Sequence, residues 1–272
     1  MSLLERFVER VDFDSYEDFV QNFKIKVPEN FNFGFDVVDE YAKNEPEREA
    51  LIWCDDYGNE KHFTFKDISE KSNRVANMFK GLGIRKGDRV LMILRQRPEV
   101  WFTMVGLHKL GAVVIPATFQ LEYHDIVYRC NAANVKMIVC ADDQWIVDNV
   151  NSARPDCKTV EICSVIGEAP EGWRSLTDDI DAASPVFERP TGDEATHNED
   201  PMMVTLSKSD KAELVRHGGQ EFNYVIEGAI KVIVGDKEFT LEAGDSIYFN
   251  PEKPHGQRAV TETAKFITII NG

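Results

Sequence analysis

Between residues 64 and 153 apolar runs alternate with stretches of helical periodicity. RVLMIL (89–94), AVVIPAT (112–118) and KMIVCA (136–141) are short and apolar on both faces, the signature of strands buried in a parallel sheet. Between and around them, FKDISEKSNRVANMFKGLG (65–83), PEVWFTMVGLHKLG (98–111), EYHDIVYRCNAAN (122–134) and DDQWIVDNVNSA (142–153) place apolar residues three and four apart and predict helices. Thr64 is set to cap the first of these, and glycines end it. Upstream, 2–25 and 36–44 predict helices, and ALIWCDD with DYGNEKHFTF predicts a hairpin turning at Gly58-Asn59. Strands alternating with helices imply a sheet covered on both sides.

The period changes near residue 200. EFNYVIEG, IKVIVG, KEFTLEAG, SIYF and KFITII are five short strand patterns separated by Gly-Asp, Ala-Gly-Asp or proline-containing turns, which predict an all-β sandwich or barrel. SPVFERPTGDEATHNEDP (184–201), rich in Pro, Asp, Glu and Thr, reads as a linker. The expected division is an α/β part over 1–183, a linker over 184–201 and a β-barrel over 202–272.

Composition narrows the function. The formal charge of −16 argues against a nucleic-acid surface. Residues 204–272 carry eight basic and ten acidic residues, so most of the excess lies in the first part. Five cysteines without CxxC spacing read as free thiols in a reducing cytosol. The N-terminus lacks a signal-peptide pattern and no run reaches the ~20 apolar residues of a membrane span. A cytoplasmic protein is expected. Trp53, Trp101, Trp145 and Trp173 lie in apolar runs and read as core or contact residues, and His62, His108 and His124 as scattered structural histidines.

The candidate chemistry is RHGGQEFNYVIEG (216–228) followed by GDSIYFNPEKPH (244–255). His217 precedes Glu221 by four residues, and His255 lies eleven after Gly244. These two motifs resemble those of the cupin superfamily over roughly 202–272. The resemblance implies a divalent metal site of His217, Glu221 and His255, with Val215 where the family's first histidine stands. Two imidazoles and one carboxylate suit Fe(II) with open positions, and also Mn, Ni or Zn. Cupins that have lost the metal hold a small organic ligand or nothing, and that alternative stays open. Apolar residues on the other face of the first strand (Phe222, Tyr224, Ile226) lead to an expected homodimer through the barrel.

Residues 30–203 resemble the N-terminal part of acyl-CoA synthetases of the adenylate-forming superfamily, closest to the medium-chain type. The resemblance rests on FNFGFDVVDEYAKNEPEREALIW (31–53), FTFKDISEKSNRVANMFKGLGIRKGDRVLMIL (63–94) and PEVWFTMVGLHKLGAVVIPATFQL (98–121). It implies ATP and CoA as cofactors, but the family's phosphate loop follows a segment like HNEDPMMV (197–204). Here TLSKSDKAEL and the barrel follow instead. GLGIRKGD (81–88) ends a helix and reads as a cap, not a phosphate loop. The expected fold is therefore two-part: an incomplete adenylate-forming α/β subdomain, unable to adenylate alone, then a cupin barrel. The join is either a natural rearrangement or an engineered fusion. An AMP-forming ligase and an Fe(II)-dependent oxygenase are the alternative functions.

Overall fold

A computed structural model of the chain describes residues 3–198, 200, 205–207, 214–216 and 220–271. Two units emerge, Met1–Asp200 and Pro201–Gly272.

The first unit opens with a segment that departs from expectation. Of the helix predicted over 2–25 only a single turn at Leu4–Arg6 and a helix α1, Tyr16–Asn22, form. Ser15 caps α1 by accepting from Asp18 N, and the Phe13, Phe19 and Phe23 rings cluster against one another. The flanks close through a Val8–Ile25 bridge, so the phenylalanine repeat serves a local aromatic knot instead of one long helix. A π-helical turn, Gly34–Asp39, runs into α2, Glu40–Asn44. The hairpin is β1, Glu49–Cys54, with β2, Glu60–Thr64.

Next come α3 (Phe65–Gly81), β3 (Arg89–Ile93), α4 (Pro98–Leu110), β4 (Val113–Pro116), α5 (Tyr123–Ala132), β5 (Val135–Cys140), α6 (Gln144–Ala153), β6 (Ile162–Val165), β7 (Arg174–Ser175) and α7 (Leu176–Ala182). The sheet is parallel, in the order β4-β3-β5-β6-β7. Because β3 and β5 are buried on both faces, two cores form. Val75, Phe79, Met92 and Leu107 pack on one side; Leu91, Ile126, Ile138 and Val150 pack on the other. A Cβ on Gly106 would lie 2.5 Å from Val75 Cγ1 and 2.8 Å from the Ser72 carbonyl, so glycine is what lets α4 approach α3 this closely. Trp173 is buried, whereas Trp101 and Trp145 are 52% and 46% exposed. Both outward rings lie on helix faces turned from the sheet, so the core reading fails for them. Four of the cysteines are buried and all five are free.

The stretch 184–200 has no strand and only one short turn, Gly192–Glu194, yet it is tied along the first unit. Asn77 Nδ2 donates to the carbonyls of Ser184 and Val186 at 2.8 Å, and Asn73 Nδ2 to that of Pro185 at 3.0 Å. Arg189 forks onto Asp36 at 2.7 and 2.9 Å.

The second unit is antiparallel: β8 (Thr205–Ser207), β9 (Gln220–Glu227), β10 (Ala229–Val234), β11 (Lys237–Glu242), β12 (Ser246–Phe249), β13 (His255–Ala259) and β14 (Thr263–Asn271). Two sheets, β12-β9-β14-β8 and β11-β10-β13, enclose Val225, Ile230, Val232, Leu241, Ala259 and Phe266. β13 was not among the five strand patterns. Its sequence, HGQRA, has one apolar side chain, and pairing with β10 makes it a strand. Gly228, at φ 75°, turns β9 into β10 with the Thr263 carbonyl 2.5 Å from where a Cβ would stand. No described helix is long and apolar enough to cross a membrane.

Candidate functional site

Strand alternation builds the site in the second unit. In β9, Glu221, Asn223 and Val225 point inward and are buried. Phe222, Tyr224 and Ile226 face outward, as the sequence predicts. In β13, His255 and Ala259 are buried on the same interior. The interior is therefore graded, with charged and amide groups at the Glu221/His255 end and apolar groups at the Val225/Phe266 end.

Two of the three candidate ligands meet. His255 Nε2 lies 3.0 Å from Glu221 Oε2, with the side chains 1% and 2% exposed. The other carboxylate oxygen, Oε1, accepts from Gln257 Nε2 at 2.6 Å and Asn223 Nδ2 at 2.9 Å. Asn223 is held in turn by the Thr268 hydroxyl at 2.5 Å. His255 Nδ1 is 2.9 Å from the Lys253 carbonyl, and the Phe249 ring stands edge-on to the imidazole at 5.2 Å. The third ligand, His217, lies outside the described residues. Val215 is described: its N–H and carbonyl exchange bonds of 2.7 and 2.9 Å with those of His255. Among the described residues no group of three His, Cys, Asp or Glu is placed to hold a metal.

These bonds constrain where protons sit. A carbonyl only accepts, so Nδ1 carries a hydrogen. The Glu221 carboxylate is aimed by its two amide donors, as outer-shell partners aim a metal ligand. Gln257 was missed in sequence, and Asn223 is read there only as sharing the inward face of Glu221. Their signal was the even spacing from His255 and from Glu221, which puts them on the inward faces.

Phosphate groups fit the first unit poorly. A helix N-terminus that binds phosphate needs open N–H groups. The helices that follow strands of the parallel sheet have part of theirs occupied or removed. α4 begins at Pro98, which has no N–H. α5 is capped by Glu122 with Asp125, and the Asp143 side chain accepts from Trp145 N at α6. GLGIRKGD ends α3 and turns into β3 with Gly83 and Gly87 at positive φ. Its Lys86 is engaged by Asp200 at 2.9 Å. Residues 1–272 contain no other glycine-rich candidate.

Other described groups have their titration shifted by burial or by a neighbouring carboxylate. Exposed His62 is held above its usual range by Glu49 at 2.6 Å, with Glu60 adding to it. Lys109, buried, is pushed down by desolvation, which Asp39 at 2.7 Å opposes. Burial pushes the thiols of Cys130 and Cys140 far up and that of Cys163 up to about 11.

Comparison with known proteins matches both halves. Residues 38–207 match the AMP-binding enzyme family, and residues 202–270 match the cupin domain. The chain is 34% identical over 170 residues to acyl-coenzyme A synthetase ACSM2, mitochondrial, of Rattus norvegicus, covering 60% of this chain and 29% of that protein. Acyl-coenzyme A synthetase ACSM3, mitochondrial, of Homo sapiens is 31% identical over 180 residues, covering 64% and 30%. The chain thus spans under a third of the length of the curated relatives it matches. A Brucella canis acyl-CoA synthetase crystal structure superposes with TM-score 0.60 at 24% identity, over 73% of this chain and 37% of that one. The anthranilate CoA ligase AuaEII with anthranoyl-AMP gives 0.55, also at 24%, over 70% and 33%. At that identity the two structures speak for the fold alone. The parallel sheet with its covering helices and the matched residues agree: this chain belongs to the AMP-binding enzyme family, and carries a cupin domain over residues 202–270.

Proposed function

We propose that the cupin domain is a cation site, with His217, Glu221 and His255 holding one divalent metal ion. The observation that carries this reading is the buried approach of His255 Nε2 to Glu221 Oε2 at 3.0 Å, with the carboxylate held by Asn223 and Gln257. A bound ion would supply Lewis acidity and open positions for a further ligand. Asn223 and Gln257 fix the carboxylate, the Lys253 carbonyl fixes the imidazole, and the apolar end of the interior keeps water from the pair.

Elemental analysis of the full chain as purified tests this. About one divalent ion per chain is expected, lost in His217→Ala and in Glu221→Gln. Metal content unaltered by either substitution would end the reading, leaving the cupin as a small-ligand or purely structural module. An Fe(II)-dependent oxygenase on the same residues would show Fe(II)-dependent O₂ uptake and a spectroscopic change with NO.

The family match favours a second reading, ATP-dependent activation of medium-chain acids. The lack of a glycine-rich phosphate loop within residues 1–272 speaks against it for this chain alone, and ATP–pyrophosphate exchange with such acids is expected to give no signal. Completion of the α/β part by another chain would restore exchange on mixing. Free thiols fit a reducing cytosol, whereas the relatives named above are mitochondrial; fractionation separates the two.

A further inference from the structure

Among the described residues, β11 and β12 are edge strands of the two sheets of the second unit, with a seam between them. A groove of about 350 Å³ runs along it, at the small end of the range for small-molecule sites, roughly 300–1,000 Å³. Its floor and walls are apolar, with Phe239, Ile247 and Phe249 among them, and Phe239 is left 38% exposed. Lys237 and Lys253 stand at its rim beside one acid, Asp236.

The charge state of that rim decides what the groove takes. Among the described residues elsewhere in this unit, Lys231 meets Glu238 and Lys265 meets Glu227, each at 2.8 Å. Among the described residues, Lys237 and Lys253 have no carboxylate within 4 Å. In a chain of net charge −16, two unmatched ammonium groups over an apolar slot disfavour a cationic ligand. A neutral apolar ligand would leave both ammonium groups unused. Inorganic phosphate would leave the exposed Phe239 ring wet. A ligand with a compact apolar body and one carboxylate uses both features.

We propose that this groove binds a small apolar monocarboxylate, its body against Phe239, Ile247 and Phe249 and its anion on Lys237 and Lys253. Phe249 is shared with the cation site, since its ring contacts His255, and the Lys253 carbonyl holds the same imidazole. The bound acid therefore lies next to that site. That the groove feeds a metal centre rests on the reading above; the carboxylate preference does not.

Isothermal titration of the full chain with 3-phenylpropanoate tests it, once after EDTA treatment and once metal-loaded. Binding is expected in both preparations. The alcohol 3-phenylpropan-1-ol should bind about fivefold more weakly, as should the acid to K237Q/K253Q. That factor corresponds to two exposed ion pairs at roughly 0.5 kcal/mol each. Raising salt should narrow both differences, and Phe239→Ser should weaken acid and alcohol alike. Equal affinity for acid and alcohol, or an unaltered affinity in K237Q/K253Q, would overturn the proposal. Displacement of the acid by an equal concentration of phosphate would also overturn it, because the groove would then read charge alone. Loss of the metal reading leaves the titration of EDTA-treated protein untouched, so the two failures are distinguishable.

Discussion

Removing the imidazole from the buried pair should cost far more than neutralising the carboxylate, and the two changes together should cost less than their sum. His255→Ala takes the imidazole from Glu221, 2% exposed, and leaves its charge to the amide donors of Asn223 and Gln257. Breaking a buried charge pair from one side costs about 3–5 kcal/mol. The unit Pro201–Gly272 has only about 4–11 kcal/mol of stability at ~0.05–0.15 kcal/mol per residue. His255→Ala therefore removes a large share of the barrel's stability.

Glu221→Gln behaves differently. Its amide oxygen can still accept from Asn223 and Gln257, and its NH₂ can donate to Nε2 of neutral His255. With both proteins freed of metal, a loss of about 1 kcal/mol or less is expected. In the double variant the neutral amide at position 221 no longer demands a counter-charge, so about 2–3 kcal/mol of the His255→Ala loss should return. The assay must be chosen with care, because all four tryptophans lie in the first unit and their fluorescence ignores the barrel. Native-state hydrogen exchange of peptides covering 220–234, read against urea, reports the right unit. Additivity of the two single losses to within about 0.5 kcal/mol would refute the reasoning, since independent sites behave that way. Chelator adds a further arm: it should destabilise the wild type and leave Glu221→Gln unaltered.

Other consequences are directly measurable. Gly106→Ala drives a methyl into Val75 and the Ser72 carbonyl, and should cost about 2–3 kcal/mol by tryptophan-detected urea unfolding of the first unit. Lys109 is held below its ordinary value, so between that lowered value and 10.5 the unfolded chain binds more protons. Its contribution to stability therefore rises with pH through that window, and Lys109→Met should abolish the rise while costing stability near pH 7, where Asp39 loses its partner. Ellman's reagent should label Cys54 within the native protein and the other four thiols only on unfolding. The exposed Tyr224, Ile226 and Tyr248 on the outer face of β9 and β12 suit a second copy of the chain; a monomer in analytical ultracentrifugation would remove that expectation.

Much of the α/β unit was legible because its strands are apolar on both faces and its helices carry their own start and stop signals, as at Thr64, Pro98 and Gly111. The amino-terminal segment misled because apolar residues three and four apart, such as Tyr16, Phe19, Val20 and Phe23, satisfy a helix and an aromatic knot equally well, and the Val8–Ile25 bridge separates them. Trp101 and Trp145 misled because apolar neighbours say nothing about which side of a helix faces the sheet. In the barrel, alternation places Glu221 inward, whereas β13 is nearly silent: HGQRA becomes a strand only through β10, across more than twenty residues. The meeting of Glu221 with His255 is such a long-range pairing, and spacing alone could not supply its 3.0 Å.

The way 184–200 is fastened has an evolutionary corollary. Asn73, Arg74 and Asn77 on α3 grip the main-chain carbonyls of Asp181, Ala183, Ser184, Pro185 and Val186, not their side chains. The instructions for that path are thus written in the helix and read by backbone that any residue provides. Drift along 183–186 should be cheap, while a single change at Asn77 would release two anchor points at once.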